Sequence, residues 1–130
     1  MAIEFTVNLE NHPGTLASLG EALGKARVNI DAIHGMPNAD GSLVIFQFLV
    51  DNPQKAAETL EKNGFAYTTR EVLIVNILDA PGTLGDVALV MAHAGINIDA
   101  VYLTTKGQVV LGVDDLDGAI QVAAGMAVMK

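Results

Sequence analysis

The sequence of 130 residues contains no cysteine. Disulfide bonds and thiolate metal ligands are therefore excluded, and the chain does not need an oxidising compartment. The sequence is also poor in basic residues, with seven Lys and Arg against fifteen Asp and Glu. The resulting net charge of −8 repels phosphate backbones and acidic membrane surfaces, so nucleic acids and membranes are not expected partners.

Long hydrophobic segments are missing as well. The longest apolar run, Leu43–Val50, is interrupted by Gln47 and is far too short to span a bilayer. The first residues, Met1–Glu4, lack the basic segment and the apolar core of a signal peptide. These features predict a soluble cytoplasmic protein. A hydrophobic content of 51% with 17% charged residues is still rich enough for a buried core and a buried interface.

What the sequence does contain is an internal repeat. Residues 5–33 and 73–101 share eleven identities over 29 positions without a gap, since 81 − 13 = 68 and 97 − 29 = 68. Asn11–Leu16 matches Asp79–Leu84, and Val28–Ala32 matches Ile96–Ala100. Two copies of one structural unit explain this pattern. We therefore predict two domains, residues 1–70 and 71–130, each small enough to depend on the other copy or on a second chain.

Each copy predicts the element order β-α-β-β-α-β. In the first copy, strands are predicted at residues 3–9, 28–33, 42–50 and 65–70, with helices after Pro13 and Pro53. In the second copy, strands are predicted at Val72–Leu78, Asn97–Thr105, Gln108–Val113 and Met126–Met129, with helices at Pro81–His93 and Asp117–Ala124. This order predicts an α+β fold of two tandem ferredoxin-like units, each a four-stranded antiparallel sheet with both helices on one face.

A family resemblance follows from the repeated motif. A strand ending in Asn-X-Pro-Gly-X-Leu, then an amphipathic helix, then a strand opening Val-Asn-Ile, resembles the ACT domain, a regulatory amino-acid-binding module of many enzymes of amino-acid metabolism. Asn11–Leu16 with Val28–Ile30 matches this pattern, and Asp79–Leu84 with Ile96–Ile98 matches it with one change. The resemblance covers essentially the whole chain as a tandem pair. It implies pairing through the second strands into one eight-stranded sheet, with effectors at the seam.

The resemblance also implies which residues contact the ligand. In the first copy these are Asn11, His12, Pro13, Gly14, Thr15, Leu16, Asn29 and Ile30, and in the second they are Asp79, Ala80, Gly82, Thr83, Leu84, Asn97 and Ile98. Their chemistry suits an amino acid. Backbone N–H groups at a helix N-terminus attract a carboxylate, while carboxamides and the Asp79 carboxylate can hold an ammonium. No cofactor and no metal site are expected, because none of the three histidines is repeated in the other copy.

Each of these residues also has a purely structural interpretation. The Pro-Gly pairs are common strand-to-helix turns. Asn11 and Asp79 are good helix N-caps, and Asn29 and Asn97 can satisfy the backbone at a strand entry. The acidic run Asp114–Asp117 lacks the spacing of a calcium loop, so we predict that it caps a helix.

The leading functional hypothesis is a non-enzymatic regulatory protein that senses an amino acid or related metabolite, forms a homodimer and acts on a separate metabolic enzyme or regulator. An assembly module without a ligand is the main alternative. An enzyme on this fold is less favoured because no pair of nucleophile and base is evident. An RNA-recognition domain is disfavoured because the third strand of the first copy carries Phe46 and Phe48 without nearby basic residues.

Overall fold

The computed structural model of the chain describes residues 2–126. The elements in order are β1 (Ala2–Glu10), α1 (Thr15–Lys25), β2 (Ile30–Pro37), β3 (Leu43–Val50), α2 (Pro53–Lys62), β4 (Thr68–Val75), α3 (Thr83–His93), β5 (Ile98–Leu103), β6 (Val109–Val113) and α4 (Leu116–Met126). All strand pairs within the sheets are antiparallel. The predicted α+β class with tandem ferredoxin-like units is confirmed. None of the helices within residues 2–126 is long and apolar enough to cross a membrane.

Within residues 2–126 the chain divides into two compact units, one formed by Ile3–Arg70 and the other by residues 71–126 together with Ala2. In the first unit the strands lie in the order β2-β3-β1, and in the second in the order β4-β6-β5. The two registers correspond, because Phe5 lies opposite Phe48 as Leu73 lies opposite Leu111. Each edge strand, β2 and β5, also carries an irregularity after its first residue.

The first core lies between the sheet and the helices. Leu19 and Leu23 recur at helical spacing on α1, and both side chains are completely buried in this core. The rings of Phe5 and Phe48 stack with centroids 5.6 Å apart, and Tyr67 packs on Phe5 at the same distance. Burial of such large apolar surfaces is the main force that holds a small domain together.

The second core has the same layout with smaller side chains. Val87 and Met91 are buried on α3, where the first copy has Leu19 and Leu23. They pack with Leu73 and Leu111, and this cluster contains no aromatic ring among the described residues. The second copy has therefore kept the apolar positions of the first and changed the volumes of the side chains that occupy them.

The second strand begins later than predicted. Residues 28–33 were the expected strand, whereas β2 runs from Ile30 to Pro37. The N–H of Val28 donates to the carbonyl of Leu23 at 2.9 Å, and Arg27 has φ 60°. Val28 thus belongs to the turn that closes α1, in which a left-handed residue lets the chain bond back onto the helix.

The expected strands at residues 65–70 and Val72–Leu78 form one element instead. β4 is continuous over Thr68–Val75 because no turn-forming residue stands between Arg70 and Val72. Asn76 and Ile77 already belong to the loop that follows. The strand predicted at Met126–Met129 begins at a residue that ends α4, and its remainder lies outside the described residues.

Candidate functional site

The loop between β1 and α1 is shaped by a glycine. Gly14 is the N-cap of α1 with φ 96°, and a Cβ atom built there would meet nothing within 4 Å. The backbone conformation, and not crowding, therefore favours glycine. The alternative interpretation of Asn11 as a helix cap is wrong, because no side chain caps this helix. Asn11 instead donates from Nδ2 to the carbonyl of Gly41 at 2.9 Å, which ties the loop to the turn between β2 and β3.

The second loop repeats this backbone. Gly82 is the N-cap of α3 with φ 88°, again without a side-chain cap, so the alternative interpretation of Asp79 as a helix cap is also wrong. The hydroxyl of Thr83 donates to the carbonyl of Ala80 at 3.0 Å, as that of Thr15 donates to the carbonyl of His12 at 3.3 Å. Within residues 2–126, no hydrogen bond or ion pair engages the exposed carboxylate of Asp79.

Both loops present backbone donors. The first N–H of α1 that bonds to a helix carbonyl is that of Ser18, which donates to Gly14 at 3.0 Å, and in α3 it is that of Asp86, which donates to Gly82 at 3.0 Å. Of the N–H groups before these residues, that of Thr83 donates to the carbonyl of Ala80 at 3.4 Å, whereas those of Thr15, Leu16 and Leu84 have no hydrogen-bond partner within residues 2–126. These groups lie at helix ends, where the helix dipole is positive. Pro13 and Leu16 on the first loop are exposed, as is Leu84 on the second. A carboxylate has open access to these donors.

The asparagines that open the second strands are held by aspartates. The N–H of Asn29 donates to Oδ1 of Asp51 at 2.9 Å, and the N–H of Asn97 donates to Oδ1 of Asp114 at 3.0 Å. The carboxamides differ, since that of Asn97 donates to Asp114 at 2.8 Å while that of Asn29 donates to Asp31 at 2.9 Å. The hydrogen bond from the Asn97 carboxamide, and next that from the Asn97 backbone N–H, hold the pKa of Asp114 below its usual value.

Asp51 and Asp114 are residues that the sequence interpretation did not assign to the site. Each follows the third strand of its unit and precedes a helix, a position that predicts a role at the start of that helix. The neighbouring residues cap the helices instead. Asn52 accepts from the N–H of Lys55 at 3.1 Å, and Asp115 accepts from the N–H of Gly118 at 3.0 Å. The capping role predicted for the acidic run is thus correct for Asp115 and wrong for Asp114. The recurrence of Asp at both strand ends was the available signal.

His12 adds an ionisable group to the first loop alone. Its ring lies 3.1 Å from the Pro13 carbonyl through Nδ1 and 3.1 Å from a Glu10 carboxylate oxygen through Nε2. The Pro13 carbonyl, and next the Glu10 carboxylate, raise the pKa of His12. The second copy has Ala80 at the matching position, so the two loops differ in charge at low pH.

The structure separates the two parts of the predicted site within a unit. Asn11 contacts the residues just before β3, whereas Asn29 contacts Asp51 just after it. The eight residues of β3 span about 26 Å at about 3.3 Å each. The second unit repeats this separation, since Gln108 before β6 bonds Asn76 next to the loop, and Asn97 bonds Asp114 after β6. One small ligand therefore cannot touch the loop and the asparagine of the same unit.

Ile30 and Ile98, also predicted as ligand contacts, are the first residues of β2 and β5 and are half-buried beside their cores. They thus lie with the asparagines and not with the loops. Among residues 2–126, no three His, Asp or Glu side chains come close enough together to hold a metal ion.

Sequence comparison finds relatives among dehydrogenases. A stretch of 73 residues is 32% identical to D-3-phosphoglycerate dehydrogenase of Mycobacterium bovis and of Mycobacterium tuberculosis. The match covers 54% of this chain and 14% of each relative. The matched part is thus only about a seventh of the length of these curated relatives.

Structural comparison finds the same architecture elsewhere. Protein BT0572 from Bacteroides thetaiotaomicron superimposes with a TM-score of 0.88 at 27% identity, covering 97% of this chain and 88% of that one. The regulatory subunit of aspartate kinase from Thermus flavus gives a TM-score of 0.68 at 21% identity, covering 95% and 90%. The family model described as an ACT domain pair matches residues 1–126, and the chain belongs to this family.

Proposed function

We propose that this chain is a non-catalytic regulatory protein that binds an amino acid at seams between ACT units. The observation that carries the proposal is the repeated helix N-terminus behind Gly14 and Gly82, where exposed backbone donors suit a carboxylate. The Asn29 and Asn97 carboxamides and the open carboxylate of Asp79 supply acceptors for an ammonium.

The separation of loop and asparagine within each unit favours a site built by two units. A loop from one unit meets the opening of the second strand of another, so that both groups reach one ligand. β2 and β5 are edge strands of their own sheets and suit such pairing. Val101 and Leu103 on β5 are 50% and 62% exposed, which is apolar surface that a neighbouring strand would cover. We therefore propose a homodimer, with an eight-stranded sheet as the arrangement of paired units.

The regulated partner in this proposal is a separate enzyme or regulator of amino-acid metabolism in the cytoplasm. Support comes from the relatives, which include D-3-phosphoglycerate dehydrogenases and a regulatory subunit of aspartate kinase. Binding of the amino acid shifts the balance between conformations of the paired units, and the partner responds to the conformation that the ligand favours.

A thermal-shift screen against the proteinogenic amino acids tests this function. A ligand at a hundred times its dissociation constant stabilises the folded state by about 2.7 kcal/mol, which corresponds to several degrees for domains of this size. Asn11→Ala and Asn29→Ala are expected to remove the shift, while Asn8→Ala, an exposed asparagine on β1, keeps it. The absence of a shift with every amino acid at millimolar concentration contradicts the proposal.

An assembly module is the second candidate. It is favoured by the carboxamides of Asn29 and Asn97, which are already hydrogen-bonded to aspartates and need no ligand to satisfy them. A dimer in analytical ultracentrifugation that no amino acid strengthens or weakens, together with a negative thermal screen, would support this second function over the first.

A further inference from the structure

The second unit contains a cleft of about 490 Å³ between the end of β4, the first half of α3 and the last residue of α4. Its walls are mainly aliphatic and are formed by Val75, Ile77, Leu78, Val87, Val90 and Met126. The volume lies within the range of about 300–1,000 Å³ that small-molecule sites occupy. Leu78 is 73% exposed and so stands at the open side of the cleft.

The first unit differs at the matching place. Phe65 and Tyr67 pack against the first core, and the Tyr67 hydroxyl donates to Glu61 at 2.7 Å, which fixes its ring. The second core has no aromatic ring over it in the part of the chain that the structure describes, and it borders the cleft. At the mouth, the repeat places Leu78 where the first copy has the charged Glu10. The residues that follow α4, where the first unit has Phe65 and Tyr67 after α2, lie outside the described residues, so the difference that the structure shows is the one at the mouth.

Three polar residues line the cleft, and the charged one favours a cation. Asn76 is neutral and its Oδ1 already accepts from Gln108 at 2.9 Å. Asp86 lines the cleft from the first turn of α3 at a position where the first copy has Ser18. Its carboxylate is exposed, and no hydrogen bond or ion pair engages it among residues 2–126. Thr83 also lines the cleft, and because its hydroxyl donates to Ala80, its oxygen remains available as an acceptor. From Glu71 onward the sequence has seven acids against two bases, which adds to the repulsion of anions.

We propose that this cleft binds a small aliphatic ammonium compound, with its hydrocarbon chain against the aliphatic walls and its ammonium at Asp86. An amino acid with an aliphatic side chain and a simple branched amine both belong to this class. The site needs no carboxylate on the ligand and shares only Thr83 with the predicted loop contacts. It therefore goes beyond the proposed function and stands independently of the loop donors.

Three probe compounds separate the contributions of the ligand's hydrocarbon chain, its ammonium and its carboxylate to binding. Isoamylamine has the ammonium alone, leucine has both groups, and 4-methylpentanoate has the carboxylate alone. Binding is followed by methyl NMR of Met126, with the exposed Met36 of the first unit as an internal reference, and by calorimetry. Isoamylamine and leucine are expected to shift the Met126 signal and leave Met36 unchanged. 4-Methylpentanoate is expected to bind at least about tenfold more weakly, because it lacks the charge-assisted hydrogen bond.

Matched variants locate the site. Val90→Phe fills the cleft, and Ala22→Phe places the same ring at the matching position of the first unit. Asp86→Asn removes the charge, and Asp117→Asn removes an equivalent charge from the first turn of α4. Val90→Phe is expected to abolish amine binding and Asp86→Asn to weaken it by about tenfold or more. Both control variants are expected to bind as the unmodified protein does.

Two results with the amine overturn the proposal: no response of Met126 to isoamylamine, or amine binding that is unchanged in Asp86→Asn. Since Asp86 is exposed, its variant keeps the test valid even where Val90→Phe fails to fold. Leucine binding that is lost in Asn29→Ala but unchanged in both cleft variants supports the loop site and contradicts the cleft. Amine binding at Met126 together with a negative amino-acid screen supports the cleft and contradicts the proposed function.

Discussion

The two units share a backbone and differ in what surrounds it. Gly14 and Gly82 take the same left-handed conformation, and each is followed by a helix with exposed donors at its start. The side chains next to these loops differ, with Glu10 and His12 in the first copy and Leu78 and Ala80 in the second. Backbone donors recognise a group that all amino acids share, whereas side chains distinguish one ligand from another. Duplication thus preserved the backbone of the loop, while the flanking side chains diverged. In the proposed function, this divergence is what gives each copy its own ligand selectivity.

The largest expected difference between the units is the stability that each loses when a core side chain is truncated to Ala. Phe48 and Leu111 occupy corresponding register positions and are both completely buried. Phe48→Ala is expected to destabilise the first unit by about 3–5 kcal/mol, and Leu111→Ala the second unit by about 2–5 kcal/mol. The aromatic stack with Phe5 places the first value toward the upper end.

Hydrogen exchange, read separately for the amides of each unit, measures these losses. Each substitution is expected to accelerate exchange most strongly in the unit that carries it. Equal acceleration in both units for either substitution would contradict the assignment of a separate core to each unit.

The turns that follow α1 and α3 differ by a smaller amount, through the residue that takes the left-handed conformation. Arg27 has φ 60° where the second copy has Gly95 with φ 74°, and both turns return an N–H to the helix, from Val28 to Leu23 and from Ile96 to Met91. A left-handed conformation costs a residue with a Cβ about 1–2 kcal/mol. Arg27→Gly is therefore expected to stabilise the first unit by about 1 kcal/mol, and Gly95→Ala to destabilise the second by a similar amount. Chemical denaturation measures both changes in the free energy of unfolding. Destabilisation by Arg27→Gly would contradict the expected cost of the left-handed conformation.

The aspartates that hold the strand asparagines differ in their number of bonds. Asp114 accepts from both the backbone and the side chain of Asn97, whereas Asp51 accepts from the backbone of Asn29. At neutral pH, Asp114→Ala is expected to lower the Tm more than Asp51→Ala. Because folding lowers the pKa of Asp114, its contribution is present above the ordinary carboxyl pKa of 3.8 and is lost as the pH falls through the folded value.

A pH series of melting curves for Asp114→Ala and the unmodified protein checks this dependence. The difference in Tm is expected to be constant near neutral pH and to shrink under acid conditions. A difference that grows as the pH falls below 3.8 would have the wrong sign.

The smallest expected effect concerns His12. Its pKa is raised above 6.5 by the Pro13 carbonyl and the Glu10 carboxylate, so its contribution to stability is fully present below pH 6.5 and is lost as the pH rises through the folded value. NMR titration of the ring is expected to give a pKa above 6.5, and Glu10→Gln is expected to bring it closer to 6.5. An unchanged pKa in Glu10→Gln would show that the contact with Glu10 does not act on His12.

The repeat made most of the fold predictable. Alternation in β1 and helical spacing at Leu19 and Leu23 placed those elements correctly because burial of one face fixes the period of the pattern. The start of β2 was missed because Val28 has strand propensity, yet its N–H closes the preceding helix turn. A hydrogen bond of this kind, which closes a helix end, leaves little trace in the strand propensity of the residue that donates it.

The sequence identifies the repeated residues of the candidate site but not how they are arranged. The sequence pairs Gly14 with Gly82 and Asn29 with Asn97, which correctly points to repeated features. It does not reveal that Asn11 bonds Gly41, or that Asp51 and Asp114 hold the asparagines. Those partners depend on which strand ends lie next to each other. The cleft is likewise absent from any motif, because it arises from side-chain volumes on three separate elements.

The most direct test of amino-acid binding at the loops is an amide NMR titration with pools of the proteinogenic amino acids. The account predicts that the amides of Gly14, Thr15 and Leu16 shift on binding, since they donate to the ligand carboxylate, and that the shifts disappear in Asn29→Ala. The amides of Gly82, Thr83 and Leu84 report on the second copy in the same spectra. Shifts confined to other parts of the chain, or no shifts with any pool, would contradict it.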